Sequence, residues 1–324
     1  MLDRATAIFG PMRHAVLIAE ELRELLDADP IPGVEVEWLP APEPTPEGPY
    51  GAIVPLLSRR VGRAELDRLP RLRVVANCAV GVDNVDVGAC AARGVVVTNT
   101  PDVLTNATAD LTWALLLTCT RRLKEGQRLL DTGEWTGWDP RQLLGLELQG
   151  ATLGIVGAGR IGRAVGRRAP AFGLRVCYTA RTEKRDFELE TGALRLPLGD
   201  LLARSDVVTL HLPATAETRG LIGPAELARM KRGSFLVNTA RGDLVDEDAV
   251  VAALEDGGLA GVGLDVFRRE PHVPQALVRH PRAVVLPHLG SATARTRRAM
   301  AALAVRNARA VLFGEDPVTP IRPS

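Results

Sequence analysis

The sequence predicts an α/β protein of two domains, each built around a parallel β-sheet. Its 324 residues exceed the usual size of one domain, so two domains of about 100–200 residues each are expected. From residue 151 onward, short apolar segments typical of buried strands alternate with helical segments. The first of these strands leads into a glycine-rich turn, ATLGIVGAGRIG at 151–162. Together these features indicate a doubly wound sheet with a nucleotide-binding turn.

The first hundred residues predict a smaller α/β domain. Residues 5–9 are predicted to form a strand, and the spacing of apolar residues over 13–27 predicts a helix after it. Two more buried strands are expected at 52–57 and 72–76, with a helix near 63–69 between them.

Turn residues at 97–102 precede a helical pattern that runs from residue 105 to about residue 123, so we expect the first domain to end near residue 98. A last helix is predicted near 292–313, and both it and the tail are expected to return to the first domain. The strands of the intervening part are predicted at 152–156, 174–178, 206–210, 234–238, 260–264 and 283–286.

These boundaries predict two Rossmann-like domains, one inserted into the other. The inserted domain, which carries the glycine-rich turn and is therefore the expected dinucleotide-binding domain, covers 99–290. The discontinuous, flavodoxin-like substrate domain covers 1–98 plus 291–324.

One segment of the inserted domain, 124–150, has little periodicity and contains Trp135 and Trp138. It is either a loop held by two buried indoles or a dimerisation arm, because exposed aromatic residues of this kind favour interfaces. The second interpretation predicts a homodimer.

The composition excludes several classes of partner. With 40 basic and 39 acidic residues and a formal net charge of +1, the chain favours neither nucleic acid nor an anionic membrane. The four cysteines lack metal-ligand or disulfide spacing, so no metal site is expected. The first residues do not resemble a secretory signal, and the longest apolar helical segment, 111–119, is too short to cross a membrane. We therefore expect a cytoplasmic protein that binds a small molecule.

The glycine-rich turn has the spacing that a dinucleotide pyrophosphate requires. Gly157 permits the tight turn out of the strand, Gly159 lets the backbone approach phosphate, and Gly162 lets the next helix pack closely. The helix from Arg160 would direct its N-terminal N–H groups at the pyrophosphate.

Chemically reactive side chains follow the remaining predicted strands. Because ligands bind at the carboxyl ends of parallel strands, these residues are expected to meet in one crevice. In chain order they are Arg181, His211, the triplet Thr239-Ala240-Arg241, Asp265 with Glu270, and His288.

Three of these residues provide what reduction of a 2-keto acid by a nicotinamide requires. The Arg241 guanidinium can bind a carboxylate bidentately. His288 can donate a proton near neutral pH, and the Glu270 carboxylate can stabilise its imidazolium form.

Several longer motifs resemble those of the D-2-hydroxyacid dehydrogenase family over essentially the whole chain. The likeness is closest to its glyoxylate/hydroxypyruvate reductases, with EWTGWDP at 134–140 among the shared segments. The family motifs are VGVDNVDV (80–87), GIVGAGRIG (154–162), NTARGDLVDEDAV (238–250), GLDVFRREP (263–271) and PHLGSAT (287–293).

The resemblance implies a role for each matching residue. It makes His288 the proton donor, Glu270 its partner and Arg241 the substrate clamp. It also implies that the substrate contacts Leu57, Ser291, the backbone N–H groups of Val80 and Gly81, and Trp138 from the neighbouring subunit. The expected cofactor contacts are Thr105, Gly157, Gly159, Arg160, Ile161, Gly162, Ala180, Arg181, Thr182, His211, Pro213, Thr239, Ala240, Asp265, His288 and Gly290.

The loop after the second predicted strand of the inserted domain, the strand at 174–178, favours NADP(H), with NAD(H) still possible. An NAD site has a carboxylate about 20 residues after the glycines to bind the ribose 2′-hydroxyl. Here 178–182 has no carboxylate, whereas Arg181, Lys184 and Arg185 offer cations for a 2′-phosphate.

Alternative functions stay open at this point. Phosphite dehydrogenases are similar around EWTGWDP, but they have a lysine where this chain has Val80. Phosphoglycerate dehydrogenases often carry a C-terminal extension beyond the length seen here. Related co-repressors use the fold as a nucleotide-sensing binding module, and a dehydrogenase for another D-2-hydroxy acid would share the same motifs.

Overall fold

The computed structural model describes residues 15–322, which form two compact units. One unit comprises the chain up to Leu104 together with the segment from Thr293 onward, and the other is Thr105–Ala292. The first unit is therefore made from two separate stretches of chain.

Twelve strands and eleven α-helices make up the two units in the described part of the chain. The strands are β1 Ala15–Ala19, β2 Glu35–Leu39, β3 Ala52–Val54, β4 Val74–Ala76, β5 Val96–Thr98, β6 Thr152–Val156, β7 Arg175–Thr179, β8 Leu194–Arg195, β9 Val207–Leu210, β10 Ser234–Asn238, β11 Leu259–Leu264 and β12 Ala283–Val285. The helices are α1 Arg63–Arg68, α2 Val87–Ala92, α3 Thr105–Thr120, α4 Leu123–Asp131, α5 Arg160–Arg168, α6 Arg185–Thr191, α7 Leu198–Arg204, α8 Pro224–Arg229, α9 Glu247–Glu255, α10 Gln275–Arg279 and α11 Ala294–Leu312.

The first unit contains a five-stranded parallel sheet in the order β2-β1-β3-β4-β5. This is the order of flavodoxin-like folds. Helix α11 packs against β3 and β4, and the tail follows β5, where the Ile321 N–H donates to the Val97 carbonyl oxygen at 2.8 Å. The last helix and the tail therefore belong to the first unit.

The helix predicted over 13–27 is wrong. Residues 15–19 form strand β1, and only Glu20–Leu25 are helical, in a short 3₁₀ turn. The run Ala15–Ala19 lies between two neighbouring strands and is almost wholly buried, so its apolar residues are continuous and carry no strand alternation. The strand predicted at 5–9 lies outside the described residues.

The second unit contains a seven-stranded parallel sheet in the order β12-β11-β10-β9-β6-β7-β8. The order reverses at β6, so the crevice beyond the carboxyl ends of β6 and β9 is the switch point where doubly wound sheets bind ligands. Helix α3 packs on β10 and β11 and also contacts α5, where the Trp113 Nε1–H donates to the Val165 carbonyl oxygen at 3.0 Å. The fold class is therefore as predicted, with two Rossmann-like α/β units.

Within residues 15–322, no helix combines the length and the apolar character needed to cross a bilayer. In the same residues no group of three histidine, cysteine or acidic side chains could hold a metal ion. All four cysteines are buried and unpaired, and burial raises the pKa of the Cys78 and Cys119 thiols to about 12.

Candidate active site

The glycine-rich turn joins β6 to α5 and depends on two glycines for its shape. Gly157 has φ +100°, and a Cβ atom there would lie 2.6 Å from the His211 carbonyl oxygen. A Cβ atom on Gly162 would lie 2.1 Å from the Gly157 carbonyl oxygen, because α5 packs directly on the turn. Larger residues at either position would force the backbone apart.

Gly159 differs, because a Cβ atom there would meet nothing within 4 Å. It is the N-cap of α5, and no side chain caps this helix end. The start of α5 therefore lacks a side-chain cap and is uncrowded at Gly159, and the positive end of its helix dipole fits an anion such as a pyrophosphate. In this loop Arg160 is exposed, and Ile161 is partly buried.

The loop after β7 carries the residues predicted to select the cofactor. Ala180 is partly buried, whereas Arg181 and Thr182 are exposed. The Lys184 ammonium donates to the Thr182 hydroxyl at 2.7 Å. The Arg181 charge also acts on Glu217, whose pKa lies below its usual value mainly because of the hydrogen bond from Thr215.

His211 follows β9 and contacts the turn through its backbone, since its N–H donates to the Val156 carbonyl oxygen at 2.8 Å. Its Nε2 atom is buried and has no hydrogen-bond partner. Burial lowers the pKa of this imidazole to about 3, so the ring is neutral at physiological pH. A buried neutral imidazole with an unused nitrogen can bind a polar ligand group but cannot serve as a proton donor near pH 7.

The turn after β10 presents Arg241 and is held by Asn238, which the sequence analysis did not identify. The buried Asn238 side chain accepts from the Ala240 N–H at 3.0 Å and donates to the Arg241 carbonyl oxygen at 2.8 Å. Thr239 is held to α3 by a 2.8 Å hydrogen bond between its hydroxyl and that of Thr112. These bonds fix the backbone on both sides of Ala240.

Glu270 and His288 form the hydrogen-bonded pair that the sequence predicted. Glu270 Oε2 lies 2.9 Å from His288 Nδ1, and Oε1 accepts from the Phe267 N–H at 3.0 Å. Burial alone would raise the pKa of Glu270, but these two hydrogen bonds and the charges of His288 and Arg241 lower it below its usual value. Glu270 is therefore a carboxylate that orients the ring and leaves His288 Nε2 as the other protonatable nitrogen.

Asp265 holds the backbone that carries His288. Its buried carboxylate accepts from the Leu289 N–H at 2.7 Å and from the Gly290 N–H at 2.8 Å. The His288 N–H donates to the Asp265 carbonyl oxygen at 2.9 Å, and His288 has φ +55°, which is rare for a residue other than glycine. Desolvation raises the pKa of Asp265 to about 6, although both N–H donors and the charge of His288 oppose this rise.

The other predicted cofactor residues also lie in the second unit. Thr105 begins α3, Pro213 is exposed after β9, and the Gly290 carbonyl oxygen accepts from the Thr108 hydroxyl at 3.1 Å. Ser291, predicted to contact substrate, is partly buried beside Gly290.

Residues Leu57, Val80 and Gly81 lie in the first unit. Val80 and Gly81 are partly buried, and their carbonyl oxygens accept from the side chains of Asn99 at 2.8 Å and Asn77 at 2.9 Å, respectively. These bonds fix the loop after β4. Leu57 is partly buried beyond the end of β3.

The segment predicted as a dimerisation arm contains α4 and an irregular stretch after it. Trp135 and Trp138 are 52% and 83% exposed in the single chain, so the interpretation of a loop held by buried indoles is wrong. Leu130 and Leu144 are also more than half exposed. In the single chain, this segment therefore exposes several large apolar side chains to solvent.

The family of the chain follows from comparison with known proteins. A model of the D-isomer specific 2-hydroxyacid dehydrogenase NAD-binding domain matches residues 113–290. The chain belongs to this family of oxidoreductases. A glyoxylate reductase of Thermococcus onnurineus (strain NA1) is 48% identical over 272 residues, which cover 83% of this chain and 81% of that protein.

Solved structures of similar proteins have the same fold. An NADPH-dependent glyoxylate/hydroxypyruvate reductase of Sinorhizobium meliloti, solved with NADP and malonate, is 35% identical with a TM-score of 0.84, and the match covers 96% of this chain and 99% of that chain. A protein of Thermus thermophilus is 45% identical with a TM-score of 0.86, covering 95% and 100%. This chain is accordingly an enzyme of the family that binds a nicotinamide dinucleotide and reduces keto acids, and the co-repressor alternative is not favoured.

Proposed function

We propose that this D-2-hydroxyacid dehydrogenase reduces glyoxylate and hydroxypyruvate to glycolate and D-glycerate, with NADPH as the preferred cofactor. The observation that carries the reaction is the pair of Glu270 Oε2 and His288 Nδ1, 2.9 Å apart, on a backbone held by Asp265. The choice of substrates rests on the glyoxylate reductase of Thermococcus onnurineus and the glyoxylate/hydroxypyruvate reductase of Sinorhizobium meliloti.

Arg241, His288 and Glu270 each have a separate role in the proposed reaction. When bound, the dinucleotide supplies a hydride to the carbonyl carbon. Arg241 holds the substrate carboxylate, because a guanidinium stays charged and matches two carboxylate oxygens. His288 gives the proton on Nε2 to the carbonyl oxygen, and the Glu270 carboxylate stabilises the imidazolium before the transfer and keeps the ring oriented. The product is a neutral hydroxyl at the former carbonyl.

The glycine-rich turn fits the cofactor that this reaction needs. The uncapped start of α5 and the open space at Gly159 suit a pyrophosphate. The neutral His211, with its unpartnered Nε2, supplies a further polar contact beside the turn. Substrate contacts by Leu57, Val80, Gly81 and Ser291 stay predictions from the family resemblance.

Arg181 supports the preference for NADPH. It is exposed after β7 at the place where an NAD site has a carboxylate, and the charge of a 2′-phosphate would pair with its guanidinium. NADH is expected to serve as a weaker cofactor.

The exposed indoles of Trp135 and Trp138 support a homodimer. The segment 124–150 would then cover its apolar side chains on a second copy of the chain, with Trp138 reaching the substrate of that copy. The cytoplasmic location stays a prediction.

Replacing His288 with asparagine tests the proposed mechanism. We expect His288→Asn to lower kcat for glyoxylate by about 10²–10⁴-fold, because the proton donor is lost, while NADPH binding remains. His272→Asn is the matched control, since this histidine is exposed and its backbone bond to Arg269 is unaffected. Stopped-flow absorbance gives kcat, and a fluorescence titration gives the NADPH dissociation constant. Wild-type turnover by His288→Asn would contradict the mechanism.

Replacing Arg181 with alanine tests the choice of cofactor. We expect Arg181→Ala to weaken NADPH binding by about 10–100-fold, the value of charge-assisted hydrogen bonds, and to change NADH binding less than about twofold. Titration of both cofactors against both proteins measures the ratio. An equal effect on the two cofactors would contradict the assignment to a 2′-phosphate.

A further inference from the structure

Arg195 is an exposed arginine whose side chain donates hydrogen bonds to backbone carbonyl oxygens. It is the last residue of the edge strand β8 and lies opposite Tyr178 of β7. Its Nη2 donates to the carbonyl oxygens of Ala180 at 2.9 Å and Arg181 at 3.1 Å, and its Nε lies 3.3 Å from the Ala180 oxygen. No step of the proposed reaction uses this side chain.

The two carbonyls that Arg195 binds have a special relation to Arg181. The Ala180 carbonyl belongs to the peptide plane before the Arg181 Cα atom, and the Arg181 carbonyl belongs to the plane after it. Peptide units are rigid planes, so fixing both planes fixes φ and ψ at Arg181. The direction of the Arg181 Cα–Cβ bond is thereby fixed as well.

The far end of the same loop is held independently. The Lys184 N–H donates to the Tyr178 hydroxyl at 2.8 Å, and that hydroxyl donates to Glu188 Oε1 at 2.7 Å. The Tyr178 side chain is fully buried, so this attachment point is rigid. Residues 180–184 are therefore anchored at both ends, and the anchor at Arg181 is the Arg195 side chain.

Ordering of this loop matters for binding. A flexible loop must lose conformational freedom when a ligand fixes it, which lowers affinity, whereas a loop ordered beforehand does not. The gain in affinity is expected for ligands that contact the Arg181 side chain, because the two carbonyl contacts of Arg195 set the direction of that side chain.

We propose that Arg195 is a positioning residue for cofactor selection, which orders the Ala180–Arg181 backbone so that the Arg181 guanidinium is presented to a ribose 2′-phosphate. This inference rests on the proposed NADPH preference. The ligand class is a nucleotide with a phosphate at the 2′ position, and the probe that isolates it is 2′,5′-ADP with 5′-AMP as its unphosphorylated counterpart.

The first experiment measures dissociation constants for NADPH, NADH, 2′,5′-ADP and 5′-AMP with the full-length enzyme. We expect Arg195→Ala to weaken NADPH and 2′,5′-ADP by about fivefold, the usual net value of an exposed hydrogen-bonded contact, and to change NADH and 5′-AMP less than about twofold. At saturating NADPH, kcat should stay at the wild-type value while KM for NADPH rises. Arg195→Lys, which keeps a charged donor, should recover part of the affinity.

Arg232→Ala is the matched control. Arg232 is another exposed arginine of the second unit that donates to a backbone carbonyl, that of Asp256 at 2.7 Å, in a different part of the chain from the 180–184 loop. It should leave all four dissociation constants unchanged. Equal weakening of NADPH and NADH by Arg195→Ala would mean a general structural role and would overturn the proposal.

The double variant Arg181→Ala/Arg195→Ala decides whether Arg195 acts through Arg181. A positioning role predicts that the double variant binds NADPH as weakly as Arg181→Ala alone, because nothing is left to orient. Additive losses would mean that Arg195 contacts the phosphate itself and would overturn the positioning role.

If Arg181→Ala alone leaves the ratio of NADPH to NADH affinity unchanged, the proposed cofactor preference fails and this inference fails with it. A changed ratio in Arg181→Ala with no effect of Arg195→Ala overturns the inference alone.

Discussion

His288 is held in a backbone conformation that its own residue type does not favour. A left-handed φ at a residue with a Cβ atom costs on the order of 1 kcal/mol, and the surrounding hydrogen bonds must offset that cost. Asp265 supplies three of them, two through its carboxylate and one through its carbonyl oxygen. The position of the proton donor therefore depends on the charge state of a neighbouring acid.

This dependence predicts how activity responds to pH. The pKa of Asp265 is raised to about 6, so its carboxyl becomes neutral as the pH falls through 6 and then offers a weaker acceptor to the Leu289 and Gly290 N–H groups. We expect kcat/KM for glyoxylate to fall below about pH 6. Asp265→Asn should be less active throughout, because one N–H then faces an amide NH₂, and should lose this acidic limb because an amide does not titrate. Profiles of kcat/KM across the acidic and neutral range measure both effects. An acidic limb that persists in Asp265→Asn would assign it to another group.

The same raised pKa has a consequence for stability. Between about pH 4 and 6 the folded protein binds more protons at Asp265 than the unfolded chain does. Its contribution to the free energy of unfolding therefore falls as the pH rises through that window. The site keeps a buried carboxylate at neutral pH at a cost in stability.

At the scale of single residues, the sequence indicates the residues that we propose to carry the chemistry but not those that hold them in place. Arg241, Glu270 and His288 could be found because each follows a predicted strand of a parallel sheet. The backbone contacts of Asn238 and Arg195 could not, because a side chain that bonds to nearby backbone leaves no periodic pattern, and the motif NTARGDLVDEDAV does not by itself reveal what the Asn238 side chain binds.

At the scale of elements, the glycine-rich turn contains one glycine that is expected to affect protein stability and another that is expected to affect dinucleotide binding. Gly162 is confined by the Gly157 carbonyl oxygen, whereas Gly159 has open space where a side chain would lie. We expect Gly162→Ala to lower the free energy of unfolding by about 1–3 kcal/mol, since the helix must move away from the turn. Gly159→Ala, its matched control, should keep its stability and lose dinucleotide affinity because the new methyl group occupies the approach to α5. Urea unfolding and an NADPH titration measure the two quantities. Destabilisation by Gly159→Ala, or none by Gly162→Ala, would contradict this division.

The elements that were predicted and those that were not differ in their patterning. Six of the seven strands of the second unit lie within about two residues of their predicted bounds, because glycine and polar turns bound each apolar run. The sequence predicts a helix across strand β1 because five apolar residues in a row fit either structure. Strand β2 was not predicted at all, since it lies at the edge of its sheet and glutamates interrupt its apolar residues. The two-residue strand β8, which carries Arg195, is too short to leave a pattern.

At the scale of the whole molecule, the sequence predicted that the first unit is discontinuous because the last helix and the tail had no sheet of their own to cover. The structure gives the physical reason for this return. Helix α11 buries one face on β3 and β4, and the buried Asn307 side chain on the same helix binds Thr319 of the tail at 2.8 Å. The tail in turn contacts Asn99, whose carbonyl oxygen accepts from the Thr319 hydroxyl at 2.6 Å.

The chain order of the two units bears on how the protein is made. The second unit is one continuous stretch, Thr105–Ala292, so it can complete its sheet as soon as that stretch has left the ribosome. The first unit begins earlier but must wait for α11, since β3 and β4 have no other helix of that length to cover them in the described chain. During synthesis the nucleotide-binding unit can therefore be folded while the strands made before it still expose apolar surface. A nascent chain paused before Thr293 would hold a finished cofactor site beside an unfinished neighbour.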